Sequence, residues 1–263
     1  METAAGIADR GRAGVKPLAS LRGIRKRFPN GVLAVRDLDV EIREGEFVSL
    51  LGPSGCGKST ALRMLAGLIP PSLGAISWSK RLPPGGLSFV FQEPTLMPWA
   101  TVSGNVRLPL TLLGRESLSA RLQQTLERVG LGAFAETYPR ELSGGMKMRV
   151  SIARALITDP AVLLMDEPFA ALDEITRFKL NNDLLALWQD LRKTVVFVTH
   201  SVFESVYLSQ RIVVMTTRPG RVFREIVIDA PYPRDESFRT SAEYGALCRT
   251  VSRTLAEASG EGV

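Results

Sequence analysis

Residues 52–60, G-P-S-G-C-G-K-S-T, satisfy the spacing G-x-x-x-x-G-K-[ST] and carry the residue types that phosphate binding requires. Glycines let successive backbone N–H groups turn toward one anion, and a helix opening after them adds its positive end. Gly52, Pro53, Ser54, Gly55, Cys56, Gly57 and Thr60 would form the cradle. Lys58 would reach the β- and γ-phosphates, and the Ser59 hydroxyl would face Mg2+. Further along, V-L-L-M-D-E-P (162–168) closes an apolar run with two carboxylates. Asp166 stands where a carboxylate can hold a metal beside the phosphates, and Glu167 where one can polarise an attacking water.

His200 is the only histidine among 263 residues and ends the apolar run T-V-V-F-V-T (194–199). A lone histidine is ordinarily a hydrogen-bonded structural residue. Its position gains meaning beside the other strand ends. One run ends at the phosphate loop, L-S-F-V-F (87–91) at Gln92, A-V-L-L-M (161–165) at Asp166 and Glu167, and the fourth at His200. Open parallel sheets bind ligands just beyond the carboxyl ends of their strands, so these endings describe one edge. An imidazole there can donate to a γ-phosphate or hold the attacking water.

A second anion-binding feature lies in E-L-S-G-G-M-K-M-R-V (141–150). Ser143 can cap a helix whose first turn contains Gly144 and Gly145. Each glycine costs about 1 kcal/mol of helix stability relative to alanine. Close backbone approach to an anion would compensate, and the two features can serve different copies of a nucleotide site.

These residues need a sheet to position them. The runs 47–51, 87–91, 161–165, 194–199 and 211–215 are continuous rather than alternating, as in strands covered on both faces. Helical patterns lie between them: S-T-A-L-R-M-L-A-G-L follows the first, and T-R-F-K-L-N-N-D-L-L-A-L-W-Q-D-L-R-K precedes the fourth. The alternation predicts an α/β layered core. Residues 94–150 break it, with an amphipathic helix closed by Gly130 and no strong strand, and predict a helical insertion. Residues 18–46 read as short strands and turns, and V-F-R-E-I-V-I after R-P-G-R (218–221) as a hairpin strand. The tail reads as a helix docking Leu247, Val251 and Leu255 on its own core.

Length and ordinary apolar content suit one domain, or a domain with an inserted subdomain. No segment approaches the roughly 18–20 apolar residues that span a bilayer. The opening M-E-T-A-A-G-I-A-D-R-G-R-A-G lacks the apolar core of a secretory signal, so the chain is expected in the cytosol. Cys56 and Cys248 fit no metal or redox spacing and are expected as reduced thiols. The net charge of +6 gathers early in R-G-I-R-K-R-F (22–28). Such charge suits nucleic acid or an anionic membrane, but reads first as a solvated face.

Taken jointly, the motifs resemble those of ABC transporter ATP-binding subunits over roughly residues 18–225. G-P-S-G-C-G-K-S-T matches Walker A, Gln92 the Q-loop, L-S-G-G-M the signature and V-L-L-M-D-E-P Walker B. A-L-D (171–173) matches the D-loop and His200 the switch histidine. The resemblance implies a RecA-like P-loop NTPase core, an N-terminal antiparallel β subdomain and an α-helical subdomain inserted at about 94–150. The ATPase domain would span 18–230, and 231–263 would form a C-terminal helical tail.

It further implies ATP and Mg2+ as cofactors. Phe28 would stack on adenine, Gln92 would assist Ser59 and Asp166 at the metal, and Asp173 would belong to the nucleotide site. Two copies would pack head to tail, each ATP lying between Walker A of one and Ser143–Gly145 of the other. The segment after Gln92, E-P-T-L-M-P-W-A-T-V-S-G-N-V, would contact a multispanning permease served by an extracytoplasmic solute-binding protein. The chain would sit peripherally on the cytoplasmic face of the inner membrane, and no nucleic acid is expected. This segment, with L-S-G-G-M and E-P-F-A-A-L-D-E-I-T-R, most resembles the nitrate/sulfonate/taurine importer branch. Met146 and Met148 depart from the general signature, although methionine at 146 is common in this branch. The tail is too short for a regulatory domain of the sugar-importer kind.

Two other readings compete. A soluble ABC-type ATPase switch in DNA repair or translation draws slight support from the basic charge, but long coiled-coil heptads and a second cassette are missing. A small-molecule kinase leaves L-S-G-G and A-L-D without a purpose.

Overall fold

Alternate residues of the same strands feed two apolar cores, one on each face of the main sheet. The computed structural model describes residues 17–115 and 119–260; the opening stretch discussed above lies outside them. In β3 (Phe47–Leu51), Phe47 and Leu51 enter one core, and Val48 and Leu50 the other. The same division holds in β6 (Val162–Asp166), where Leu163 and Met165 oppose Val162 and Leu164. In β7 (Thr194–Thr199), Val195 and Phe197 oppose Val196 and Val198. A period of two with both faces covered is what makes these runs continuously apolar.

With β5 (Leu87–Val90), β8 (Arg211–Met215) and β9 (Val222–Val227), these strands form a six-stranded sheet in the order β5-β6-β7-β3-β8-β9. All its pairs are parallel except β8 with β9, the expected hairpin. A second, antiparallel sheet has the order β2-β1-β4, from β1 (Ala19–Arg27), β2 (Leu33–Ile42) and β4 (Leu73–Trp78). Together with α1 (Lys58–Leu65) it encloses the second core.

β1 and β2 are nine and ten residues long rather than short. β4 carries no signal in the sequence: L-G-A-I-S-W leaves most of its residues exposed, so neither alternation nor an apolar run marks it. Backbone pairing to β1 holds it.

Between β5 and β6 lie α2 (Val102–Leu112), α3 (Ser119–Arg128) and α4 (Gly144–Leu156), with no strand among the described residues. Val102, Val106, Met148 and Ile152 carry this insertion into the first core. Gly130, at φ 71°, follows the end of α3 in the left-handed region. The remaining helices are α5 (Glu174–Leu191), α6 (Val202–Leu208), α7 (Glu236–Arg239) and α8 (Ala242–Ser259). Val251 of α8 is fully buried, Leu247 and Leu255 are half-buried, and Tyr244 and Cys248 complete the docking face. No helix among the described residues is long and apolar enough to cross a membrane.

Candidate nucleotide site

Strand register brings the chemistry together. Leu51 lies opposite Thr199, Asp166 opposite Val198, and Val90 opposite Met165. The phosphate loop, His200, the acidic pair and the segment leading to Gln92 therefore leave the sheet side by side.

The loop joins β3 to α1 through Gly57, whose φ of 103° only glycine adopts readily. A Cβ there would also stand 2.7 Å from Ala34 O, so β2 closes against the loop's backbone. Lys58 begins α1 and is 3 % exposed. Its Nζ donates to Gly52 O at 2.8 Å and Pro53 O at 2.9 Å, and lies 3.6 Å from Glu167 Oε1. Next to it, Ser59 Oγ donates to Asp166 Oδ1 at 2.5 Å. Burial pushes the Asp166 carboxyl above the usual range, against the pull of the Ser59 hydroxyl and of Arg63, 3.6 Å away.

Glu167 sits at φ 45°, in the left-handed region. A non-glycine residue held there carries strain on the order of 1–3 kcal/mol, which the surrounding structure must offset. Its N–H donates to Val198 O at 3.0 Å, and its Oε2 lies 2.9 Å from His200 Nδ1. A carboxylate only accepts, so Nδ1 carries the shared proton and Nε2 is left for another partner. His200 is braced from behind. Thr199 Oγ1 accepts from Ser201 N at 2.9 Å and donates to the buried Glu204 at 2.5 Å. Arg177 stands 3.8 Å from Glu204 and donates to Leu172 O at 2.9 Å, tying this turn to A-L-D.

Lys58, Ser59 and Glu167 border a cavity of about 180 Å³, while Asp166 and His200 do not line it and reach it through their hydrogen bonds to Ser59 and Glu167. Gly55, Gly57, Lys58, Ser59, Thr60 and Glu167 form one side, and Phe28 with Val32 and Ala34 another. The Phe28 ring is held by a turn in which its carbonyl accepts from Gly31 N at 2.9 Å, and Lys26 Nζ lies 5.5 Å from the ring centroid.

Some expected residues are placed elsewhere. The Cys56 side chain is buried in the second core beneath the loop, so only its backbone can face a ligand. Gln92 is exposed just beyond β5 and is not among the residues lining the cavity. Ser143 caps α4, accepting from Met146 N at 3.3 Å, and Asp173 caps α5, accepting from Thr176 N at 2.9 Å. Neither they nor Gly144 and Gly145 line this cavity, so within one chain they form no part of it.

Three further residues line the cavity without belonging to any of the motifs: Val32, Ala34 and Arg218. A signal for Arg218 existed. β8 runs parallel to β3 and ends at the same edge, where it hands over to R-P-G-R.

A family model described as ABC transporter matches residues 35–170, about half of the chain. An ABC transporter ATP-binding protein of Methanocaldococcus jannaschii is 48% identical over 220 residues, 82% of this chain and 81% of that one. The aliphatic sulfonates import ATP-binding protein SsuB of Bacillus cereus is 41% identical over 230 residues, 85% of this chain and 91% of its own. Among solved structures, the dimeric post-hydrolysis state of the ATP-binding cassette MJ0796, bound to ADP and Pi, superposes with a TM-score of 0.70. It is 34% identical, and the match covers 81% of this chain and 100% of that one.

Proposed function

The chain belongs to the ABC transporter family, and from that premise we propose how its ATPase site works and what it drives. It is an ATP-binding, ATP-hydrolysing subunit with a P-loop NTPase core. The observation that carries the proposal is one line of groups running back from the cavity wall: Lys58 is 3.6 Å from Glu167, which is 2.9 Å from His200. A cation for phosphate, a carboxylate for water and an imidazole to orient one or the other meet at one point.

In this reading Phe28 stacks on adenine, and the loop amides with Lys58 hold the phosphates. Glu167 takes the proton of the attacking water as general base. His200, its Nδ1 committed to Glu167, presents Nε2 to the water or to the γ-phosphate. The loop's amides act through fixed dipoles and need no rearrangement as charge develops.

Ser59 and Asp166 suit Mg2+: a hydroxyl and a carboxylate 2.5 Å apart are hard oxygen donors. Among the described residues no group of three or more acidic, histidine or cysteine side chains forms a cage, which suits a cation completed by phosphates and water. Ser59 and Asp166 would hold the ion, with Gln92 assisting. When bound, it would neutralise charge on the β- and γ-phosphates.

The site is half of a larger one. Pockets that enclose ligands of drug size run from about 300 Å³ upward, more than the cavity here offers. Ser143, Gly144 and Gly145, at the capped start of α4, would complete it from a second copy packed head to tail. That the MJ0796 cassette bound to ADP and Pi is dimeric supports a pairing of two copies.

Closure and reopening of the pair would drive a separate permease from the cytoplasmic face of the membrane. Trp99, 76 % exposed, would be a principal contact. Its segment is firmly held: Arg154 donates to Pro94 O at 2.8 Å and Thr95 O at 2.9 Å, and Asn105 Nδ2 to Met97 O and Ala100 O at 3.1 Å. Similarity to SsuB supports import of a small anionic solute of the sulfonate class, supplied by an extracytoplasmic binding protein. The test is capture of tagged protein from gently solubilised membranes. Recovery with one multispanning permease is expected; recovery with ribosomes or DNA instead would sink the import reading and leave the ATPase chemistry standing.

A further inference from the structure

We propose that Arg218 is a nucleotide-binding residue, and that the turn R-P-G-R (218–221) is built as a wall of the phosphate site. The proposal rests on the ATP site assigned above. The turn is rigid. Thr216 N donates to Arg221 O at 3.0 Å, while Thr216 Oγ1 accepts from Arg221 N at 3.1 Å and donates to Pro219 O at 3.2 Å. It is also fastened to β2, since Gly220 N donates to Ala34 O at 2.9 Å and Arg36 N donates to Gly220 O at 3.0 Å. Its other side lies on the phosphate loop. A Cβ on Gly220 would fall 2.0 Å from Cys56 O, so only glycine permits this backbone contact.

From that base the exposed Arg218 side chain reaches over the loop and lines the cavity with Phe28, Lys58, Ser59 and Glu167. Nε and Nη2 donate to Gly55 O at 3.2 and 3.1 Å. Nη1 makes no hydrogen bond among the described residues, and its donors remain for a ligand. Lys58 is a point charge already bonded to two loop carbonyls; a guanidinium adds fixed, directional donors suited to phosphate oxygens. The ligand chemistry is the anionic phosphate chain common to ADP and ATP.

The test compares ADP and ATP binding, turnover and salt dependence in the full chain, in Arg218→Gln and in Arg218→Lys. Glutamine keeps an N–H donor for Gly55 O and removes the charge. Arg218→Gln is expected to weaken both nucleotides about tenfold at low salt, the size of one charge-assisted contact near a surface. It should flatten the salt dependence and raise KM for ATP by a larger factor than it lowers kcat. Arg218→Lys should recover most of the affinity. Wild-type affinity in Arg218→Gln overturns the proposal. So does an equal loss in both variants accompanied by a proportional fall in kcat, because that describes a loosened loop rather than a lost ligand contact. Lys58→Ala is the control for the site itself: undiminished ATP binding there would overturn the site assignment and the role of Arg218 with it.

Discussion

Glu167 Oε2 and His200 Nδ1 meet at 2.9 Å across the ends of two neighbouring parallel strands. Each is held from outside the pair, Glu167 by its backbone bond to Val198 and His200 by the Thr199–Glu204 brace. The proposed base is thus positioned before any ligand arrives. Glu167→Gln is expected to bind ATP with ordinary affinity and to lose at least about a hundredfold in turnover. Phosphate release measured beside a binding isotherm decides it, and normal turnover would take the base role from Glu167.

His200→Ala tests the other member. Binding should be unimpaired while hydrolysis falls strongly, because the ring's hydrogen bond is to Glu167, the proposed base, and not to Lys58 or the loop amides. Wild-type rates would return His200 to a structural role.

Asp166 links function to stability. Burial raises its carboxyl pKa above that of an exposed aspartate. An acid with a raised folded-state pKa weakens the fold once the pH exceeds that pKa, and the penalty disappears below the unfolded value. Without Mg2+, Asp166→Asn is therefore expected to be more stable than the parent near neutral pH, and to lose hydrolysis. Its advantage should shrink as the pH falls through the carboxylate range toward about 4. Urea unfolding across that range measures it; an advantage that did not change with pH would refute the cause.

Both cysteines are buried, Cys56 at 1 % and Cys248 at 5 % exposure, and burial pushes both thiols up. Iodoacetamide near pH 8 should leave them unmodified in the native protein and label both in denaturant. ATP should slow any native labelling of Cys56 further, since that thiol lies beneath the phosphate loop. Rapid native labelling of Cys56 would contradict this packing.

Gly220→Ala should displace the phosphate loop, because the added Cβ would fall 2.0 Å from Cys56 O. Overpacking of this kind costs roughly 1–3 kcal/mol, so a loss of about tenfold in ATP affinity is expected alongside a lower melting temperature. Unchanged affinity would mean the turn can swing away from the loop.

Signals local to the chain are legible in the residues alone. A phosphate loop is nine consecutive residues between a strand and a helix, and its spacing is its geometry. Apolar runs ending at Asp166 and His200 mark strands because burial on both faces leaves a continuous apolar record, while α4 and α5 begin at the Ser143 and Asp173 caps that local hydrogen bonds dictate. β4 left no such record, since its strand character comes from backbone pairing with β1.

Proximity between distant residues is a property of strand order, which no run of residues states. Arg218 meets Gly55 across 163 positions because β8 lies beside β3. Val32 and Ala34 join the cavity because β2 folds over the loop, at a separation only Gly57 tolerates. The sequence by itself determined which groups could do phosphate chemistry and that one sheet edge would gather them. Which of them share a cavity, and which must wait for a second copy, was decided only when two cores closed on opposite faces of that sheet and set every register at once.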